Sequence, residues 1–255
     1  MMNQKKVAII SGAATGIGRA SAVGLVEDFD LVLLDWNKEE GEKTEAMCRE
    51  AGGTADFVYT DMGNEEEVIA AVKYTMDRYG KIDFFFCNHG WLMDPQDFAD
   101  TEKATLDKVL HCNVYGTFFG LKYVLKEMMK QNAGNILVTA SSSGIRPECS
   151  FGVYSASKCA VLGMVKDTAL EYSSRYNIRI NAIAPGGIVT PMTAGVGKYM
   201  QEHPEYTNPW PSRIPMGDGA LGFTQDVVPM VKLMASDASR YMTGAVISID
   251  GGITQ

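Results

Sequence analysis

The stretch Ser11-Gly12-Ala13-Ala14-Thr15-Gly16-Ile17-Gly18 constrains this chain more than any other. It joins an apolar run, Val7-Ala8-Ile9-Ile10, to a segment, Gly16 to Val26, in which Ile17, Ala20, Val23 and Leu25 recur at helical spacing. Glycines let a chain turn sharply and let bare backbone amides approach a ligand, and a helix N-terminus favours the charge of a phosphate group. A strand, this turn and a helix together predict a βα unit able to hold a pyrophosphate. A tight strand-to-helix connection would look the same by itself, so the rest of the chain has to decide.

The rest repeats the unit. Strands are expected at Leu31–Leu34, Ala55–Tyr59, Ile82–Phe86, Asn135–Thr139, Ile178–Ile183 and Ala245–Ile249. Helices are expected from about Lys38 to Glu50, Glu65 to Tyr79, Leu106 to Lys130, Tyr154 to Arg175 and Thr224 to Ala235. Seven strands alternating with helices predict an α/β chain: a single-domain Rossmann fold over residues 1–255, with a doubly wound, seven-stranded parallel sheet and helices on both faces. Residues 190–222 are dense in proline and glycine and show no sustained period, so they read as a partly mobile excursion or substrate lid. The turn Glu27-Asp28-Phe29-Asp30 lacks the glycine that often follows a helix.

Charge and composition exclude several classes. Of 255 residues 46% are hydrophobic and 21% charged, as in globular proteins, and the net charge of −8 would repel nucleic acid and anionic membranes. No apolar run reaches spanning length, and Lys5-Lys6 leads directly into a strand rather than a signal peptide, so a cytoplasmic location is expected. Five cysteines without a CxxC pair or zinc-ligand spacing read as reduced thiols, with no metal expected. A small-molecule partner is what remains.

Asp35 ends the second strand, 17 residues after Gly18, where a carboxylate can accept hydrogen bonds from adenosine ribose hydroxyls. A 2′-phosphate would meet it as a like charge, and Ala13, Ala14, Trp36 and Asn37 provide no compensating cation, so NAD(H) is the expected cofactor. Farther on, Tyr154-Ser155-Ala156-Ser157-Lys158 puts a phenol and an ammonium on adjacent turns of one helix face. A fixed positive charge draws a phenol with a pKa of about 10 toward the working range. Ser141, just past the fifth strand, could bring its hydroxyl to the same carbonyl oxygen.

Together these residues make the chain resemble the short-chain dehydrogenase/reductase family over essentially its full length. SGAATGIG stands for that family's TGxxxGxG and CNHG at 87–90 for its NNAG. SSSG at 141–144, YSASK at 154–158, NAIAPGGIVTPM at 181–192 and TGAVISIDGG at 243–252 match as well. The resemblance implies that Tyr154 exchanges a proton with the substrate oxygen and Ser141 orients that oxygen. It gives Lys158 two tasks, tuning Tyr154 and holding the nicotinamide ribose, and has Asn113 anchor a water relay from Lys158. It also implies that the cofactor meets Gly12, Thr15, Gly16, Ile17, Gly18, Asp35 and Trp36 along the first two strands. Asp61 and Met62 after the third strand, Asn88 and Gly90 after the fourth, and Pro185, Gly186, Ile188 and Thr190 after the sixth complete that set, Asp61 at the adenine and Ile188 and Thr190 at the carboxamide. The family is most often tetrameric, and Leu121, Val124, Leu125, Met128 and Met129 offer apolar surface for either a subunit contact or the core.

Three positions depart from the pattern: Ser11 for the usual Thr, and Cys87 and His89 for the Asn and Ala of NNAG. A lone histidine in a strand-end turn reads as a structural hydrogen bonder rather than a further acid. Trp91, Leu92, Met93, Cys149, Phe151, Met192 and Trp210 describe a bulky apolar substrate pocket. GIR at 144–146 and NPWPSR at 208–213 resemble family members that act on cyclic ketones and secondary alcohols, which makes an alicyclic or steroid-like compound the first expectation. The IPMG at 214–217 keeps a 3-oxoacyl substrate as the alternative. A catalytically silent dinucleotide-binding regulator is the remaining reading, and intact Tyr154, Lys158 and Ser141 argue against it.

Overall fold

The central strand runs Val7–Ile10, Leu31–Leu34 and Phe84–Phe86 are apolar without interruption because the sheet is covered on both sides. In the computed structural model, which describes residues 5–206, 214–216 and 220–255, alternate side chains of each strand enter different cores. Ile9, Val32, Phe85, Val138 and Ile180 point to one face. Ala8, Ile10, Leu31, Leu33, Phe84 and Phe86 point to the other. This is the period of two that a pleated strand imposes. Phe84, Phe85 and Phe86 are all fully buried, and burial of one such side chain stabilises by roughly 1.5–3 kcal/mol.

The strands are β1 (Lys6–Ser11), β2 (Phe29–Asp35), β3 (Ala55–Tyr59), β4 (Phe84–Cys87), β5 (Gly134–Thr139), β6 (Ile178–Pro185) and β7 (Val246–Ile249). They form one sheet in the order β3-β2-β1-β4-β5-β6-β7, with every pairing parallel. Helices α1 (Gly16–Leu25) and α8 (Thr224–Ala235) cover one face; α3 (Glu65–Tyr79), α5 (Gly116–Gln131) and α6 (Gly152–Tyr176) cover the other. Helix α2 is Lys38–Glu50, α4 is Lys103–Val109 and α7 is Pro191–Glu202. The chain runs outward from β1 to β3 and then returns past β1 to β4, so β1 and β4 lie at the point where the strand order reverses. Ser11 and Cys87 are partners there. Crevices beyond the carboxyl ends of strands at such a point are where ligands bind.

The expected fold class stands, and α2, β3, α3 and α8 span the expected residues. Other bounds shift by one or two residues, such as β4 at Phe84–Cys87 and β6 running to Pro185, and three differences have a structural cause. Strand β2 begins at Phe29, because that side chain is buried against Phe84 in the core, and the preceding turn closes through Asp28 N–H donating to the Leu25 carbonyl without needing a glycine. The long 106–130 segment is not one regular helix: a π-helical turn, Leu110–Tyr115, separates α4 from α5. Within 190–222 the absence of sustained structure is corrected by α7. Thr190 caps it, its hydroxyl accepting from Thr193 N–H, and Pro191 opens it, where a missing N–H costs nothing. The stripe Leu121, Val124, Leu125 and Met128 belongs to the core, leaving Tyr115 and Phe118 as the exposed aromatics of that helix region.

Candidate active site

A cleft of about 690 Å³ opens at the carboxyl ends of the strands and takes in both ends of the expected site. At one side it is lined by Gly12, Thr15, Gly16 and Ile17. Thr15 makes no side-chain cap to α1, so the first amides of that helix face the cleft uncapped, as an anion site requires. Gly12 has φ of +65°, and a Cβ there would lie 2.7 Å from His89 Cα. Gly18 is not on the wall; it lets α1 approach β1, since a Cβ would fall 1.9 Å from the Gly12 carbonyl oxygen. The cradle fits a pyrophosphate: bare amides on one side, glycine where bulk would fill the space.

Asp35 and Trp36 stand at the end of β2 in the same cleft. Asp35 accepts from Ala14 N–H at 3.0 Å and from Asn37 N–H at 2.9 Å. Burial raises its pKa, opposed by backbone N–H groups of Asn37, Ala14 and Trp36 and by the charge of Arg19. Sequence reasoning missed Arg19. Its place one turn into α1 was the available signal, because that turn packs toward β2. The guanidinium is bound by Glu40 at 2.6 Å, by Thr44 Oγ1 at 2.9 Å and by the Ala14 carbonyl.

Asp61 and Met62 line the cleft beyond β3, and Asn88 and Gly90 beyond β4. Asp61 is held by His111 Nε2 at 2.9 Å and by Gly63 N–H at 2.9 Å. Asn88 Nδ2 donates to the Gly12 carbonyl at 3.3 Å while its Oδ1 accepts from Thr139 Oγ1 at 3.0 Å, which ties β4, β1 and β5 together. Pro185, Gly186, Ile188 and Thr190 complete this side.

Tyr154, Lys158 and Ser141 meet on the opposite wall. Four residues apart on α6, the phenol and the ammonium share one face, with Lys158 Nζ 5.8 Å from the centre of the Tyr154 ring. Burial pushes the Tyr154 phenol up to about 12, the Ser141 hydroxyl acting in the opposite direction. Burial also pulls Lys158 down to about 8. Desolvation dominates the phenol, and the expected lowering by Lys158 is not among the influences on it. Ser141 Oγ accepts from Ser143 N–H at 3.1 Å, which leaves its hydroxyl proton available to the cleft. Asn113 is fully enclosed in the π-helical turn. Its Oδ1 accepts from Trp91 N–H at 2.7 Å, and its Nδ2 donates to the Trp91 carbonyl at 3.0 Å and to Ser157 Oγ at 3.0 Å.

Trp91, Leu92, Phe151, Met192, Val196 and Met200 surround the phenol end with apolar surface, Lys108 Nζ standing 4.1 Å over the Trp91 ring. Asp94 and Glu148 add two carboxylates to that wall. Cys149 is exposed and does not line the cleft, and Met93 is buried beneath the wall. Trp210 lies outside the described residues. Among the described residues no group of three or more His, Cys, Asp or Glu is placed to hold a metal ion, and no helix is long and apolar enough to cross a membrane.

A doubly wound sheet with an amide-lined phosphate cradle and a Tyr-Lys-Ser wall in one cleft defines a dinucleotide-binding oxidoreductase. The family model described as "Enoyl-(Acyl carrier protein) reductase" matches residues 12–254. Levodione reductase of Leifsonia aquatica is 37% identical over 256 residues, covering 97% of this chain and 93% of that protein. The 3-oxoacyl-[acyl-carrier-protein] reductase of Thermotoga maritima is 33% identical over 254 residues, covering 99% of each. The crystal structure of levodione reductase superposes with a TM-score of 0.90 at 36% identity, covering 98% of this chain and 97% of that one. NAD+-bound xylitol dehydrogenase gives 0.88 at 32%, covering 97% and 98%. A variant of actinorhodin polyketide ketoreductase with NADPH gives 0.92 at 29%, covering 100% of both chains. The chain belongs to the short-chain dehydrogenase/reductase family and is an oxidoreductase with a fold that binds a nicotinamide dinucleotide.

Proposed function

We propose that this protein is an NAD(H)-dependent dehydrogenase that transfers a hydride between the nicotinamide and a secondary alcohol or ketone carried on an apolar ring. The observation that carries the reading is the convergence of Tyr154, Ser141 and Lys158 on the cleft that also holds Gly12, Thr15, Gly16, Ile17 and Asp35. The nicotinamide dinucleotide, when bound, supplies or accepts the hydride.

The chain's own groups handle the proton. With its pKa near 12, the Tyr154 phenol carries its proton at neutral pH and donates it to a carbonyl oxygen in the reducing direction. The Ser141 hydroxyl donates a second hydrogen bond to that oxygen as negative charge develops on it. Lys158, near 8, is largely an ammonium at pH 7; its charge stabilises the phenolate left behind by that transfer, which is also the form that accepts a proton in the oxidising direction. The enclosed side chain of Asn113 fixes the Trp91 backbone, so any water relay to Lys158 uses its main chain rather than its amide.

NAD(H) preference is supported by Asp35, a carboxylate on the cleft wall at the end of β2 that would repel a 2′-phosphate, and by the engagement of Arg19 with Glu40, Thr44 and Ala14. A ring substrate is supported by the apolar wall and by the likeness to levodione reductase; a 3-oxoacyl thioester is the second reading, favoured by the likeness to the Thermotoga protein. A panel of cyclic ketones, secondary alcohols and 3-oxoacyl thioesters, followed by NADH and NADPH absorbance, tests the reading. Turnover confined to thioesters would replace the ring substrate, and higher catalytic efficiency with NADPH would refute the cofactor assignment.

A further inference from the structure

Two residues that set this chain apart within its family pattern, Ser11 and His89, touch each other. Ser11 Oγ lies 2.8 Å from His89 Nδ1. The same oxygen accepts from Asn88 N–H at 3.1 Å, and the Phe86 carbonyl is farther off at 3.5 Å. The shorter contact assigns the hydroxyl proton to Nδ1, an assignment that puts the ring proton on Nε2. The imidazole is nine-tenths buried, and desolvation, followed by the charge of Lys158, pulls its pKa down to about 3. Nε2 is buried without completing a hydrogen bond, although the Cys112 backbone acts on the ring, and it packs where a Cβ on Gly116 would come within 2.4 Å. A buried donor left unpaired is costly, and an apolar side chain would sit here without that cost.

The ring stands where the two turns that border the cofactor cradle meet. His89 Cα and N form the surface against which Gly12 closes, and Asn88 reaches across to the Gly12 carbonyl. From there the hydrogen bonds continue through Thr139 Oγ1 to Asn88, and from Lys158 Nζ to the Thr139 carbonyl. We propose that His89 is a positioning residue: a buried ring, keyed to the Ser11 hydroxyl, that fixes the spacing between the Gly12 turn and the Asn88–Gly90 turn. It thereby sets affinity for the dinucleotide and takes no part in proton transfer. The inference rests on the proposed dinucleotide-binding role of that cradle.

The test is a titration of NADH fluorescence, with kcat at saturating cofactor and thermal melting, for the wild type, Ser11→Ala, His89→Ala, the double variant and His89→Asn. Loss of one such hydrogen bond raises the NADH Kd about five- to tenfold in Ser11→Ala and in His89→Ala. The double variant is no weaker than His89→Ala, because the two act as one unit. His89→Asn, whose amide oxygen replaces Nδ1 as acceptor, returns to within about twofold of wild type. The kcat changes far less than Kd, and the acid limb of the pH profile does not move. Ser11→Ala removes a single hydroxyl, so it keeps the test open should His89→Ala not fold. Wild-type NADH binding with unchanged Kd in Ser11→Ala, whatever the melting shift, overturns the inference, as do additive losses or a displaced acid limb. If the wild type binds neither NADH nor NADPH, the proposed function falls and takes the inference with it.

Discussion

The ammonium of Lys158 donates to the carbonyl of Thr139 at 2.9 Å, linking helix α6 to the end of β5 directly beneath the cleft. That bond and the Tyr154 ring are what this buried charge meets in place of water, and they do not compensate fully. Lys158 has a pKa of about 8 in the folded chain against an ordinary 10.5. Between those values the unfolded chain binds the proton and the folded chain does not, so this group's contribution to stability rises with pH from about 8 to 10.5. Below that window both states are protonated, and the whole cost of burial is present. Lys158→Met is therefore expected to stabilise the cofactor-free protein at pH 7 by on the order of 1–3 kcal/mol while abolishing turnover. Thermal melting at pH 7 checks it: a Tm at or below that of wild type contradicts the buried-charge account.

Tyr154→Phe removes the proton and little else, because the ring stays where the apolar wall holds it. Turnover is expected to fall roughly 10²–10⁴-fold, the usual contribution of a positioned acid or base. NADH affinity should stay within about threefold, since one hydrogen bond at most is lost. Retained turnover would assign the proton to another group; retained turnover with lost affinity would make the residue a cofactor contact alone.

In the proposed reading Asp35 selects the cofactor by charge. Its oxygens already accept from Ala14 and Asn37 N–H groups, so replacement must keep a small acceptor in place. For Asp35→Ser, the ratio of kcat/KM with NADH to that with NADPH is expected to drop about tenfold or more, matching removal of a like-charge repulsion of roughly 1.4 kcal/mol. An unchanged ratio, measured with both cofactors on one substrate, places the discrimination elsewhere.

What the sequence disclosed and what it hid have physical reasons. Side-chain periodicity located α2, α3 and α8 because each buries one regular stripe. It could not show the π-helical turn at Leu110–Tyr115, since a shift in backbone hydrogen bonding leaves apolar spacing nearly intact. Helix α7 was obscured by the prolines and glycines around it, although Thr190-Pro191 is a good start signal. The pairing of Tyr154 with Lys158 was legible because helix geometry fixes neighbours at four residues. The contacts of Arg19 with Glu40 and of Ser11 with His89 were not, because they join segments whose approach only the assembled sheet determines.

Gly18 ties the fold to the cradle. A Cβ at that position would stand 1.9 Å from the carbonyl oxygen of Gly12 and 2.9 Å from Asn88 Nδ2, backbone on one side and a bonded side chain on the other. Neither neighbour can move away: Gly12 packs so closely on the His89 backbone that a Cβ on it would lie 2.7 Å from His89 Cα, and Asn88 is fixed by Thr139. The start of α1 would have to lift from β1, carrying the amides of Gly16 and Ile17 away from the cleft. Gly18→Ala is thus expected to destabilise the protein by about 3 kcal/mol or more and to weaken NADH binding at least tenfold in whatever fraction folds. Gly163→Ala, on α6 with nothing within 4 Å of its Cβ position, is the control and should be neutral or slightly stabilising. Equal melting temperatures and NADH affinities for the two variants would mean that α1 and β1 tolerate separation, and that the cradle is not held by this contact.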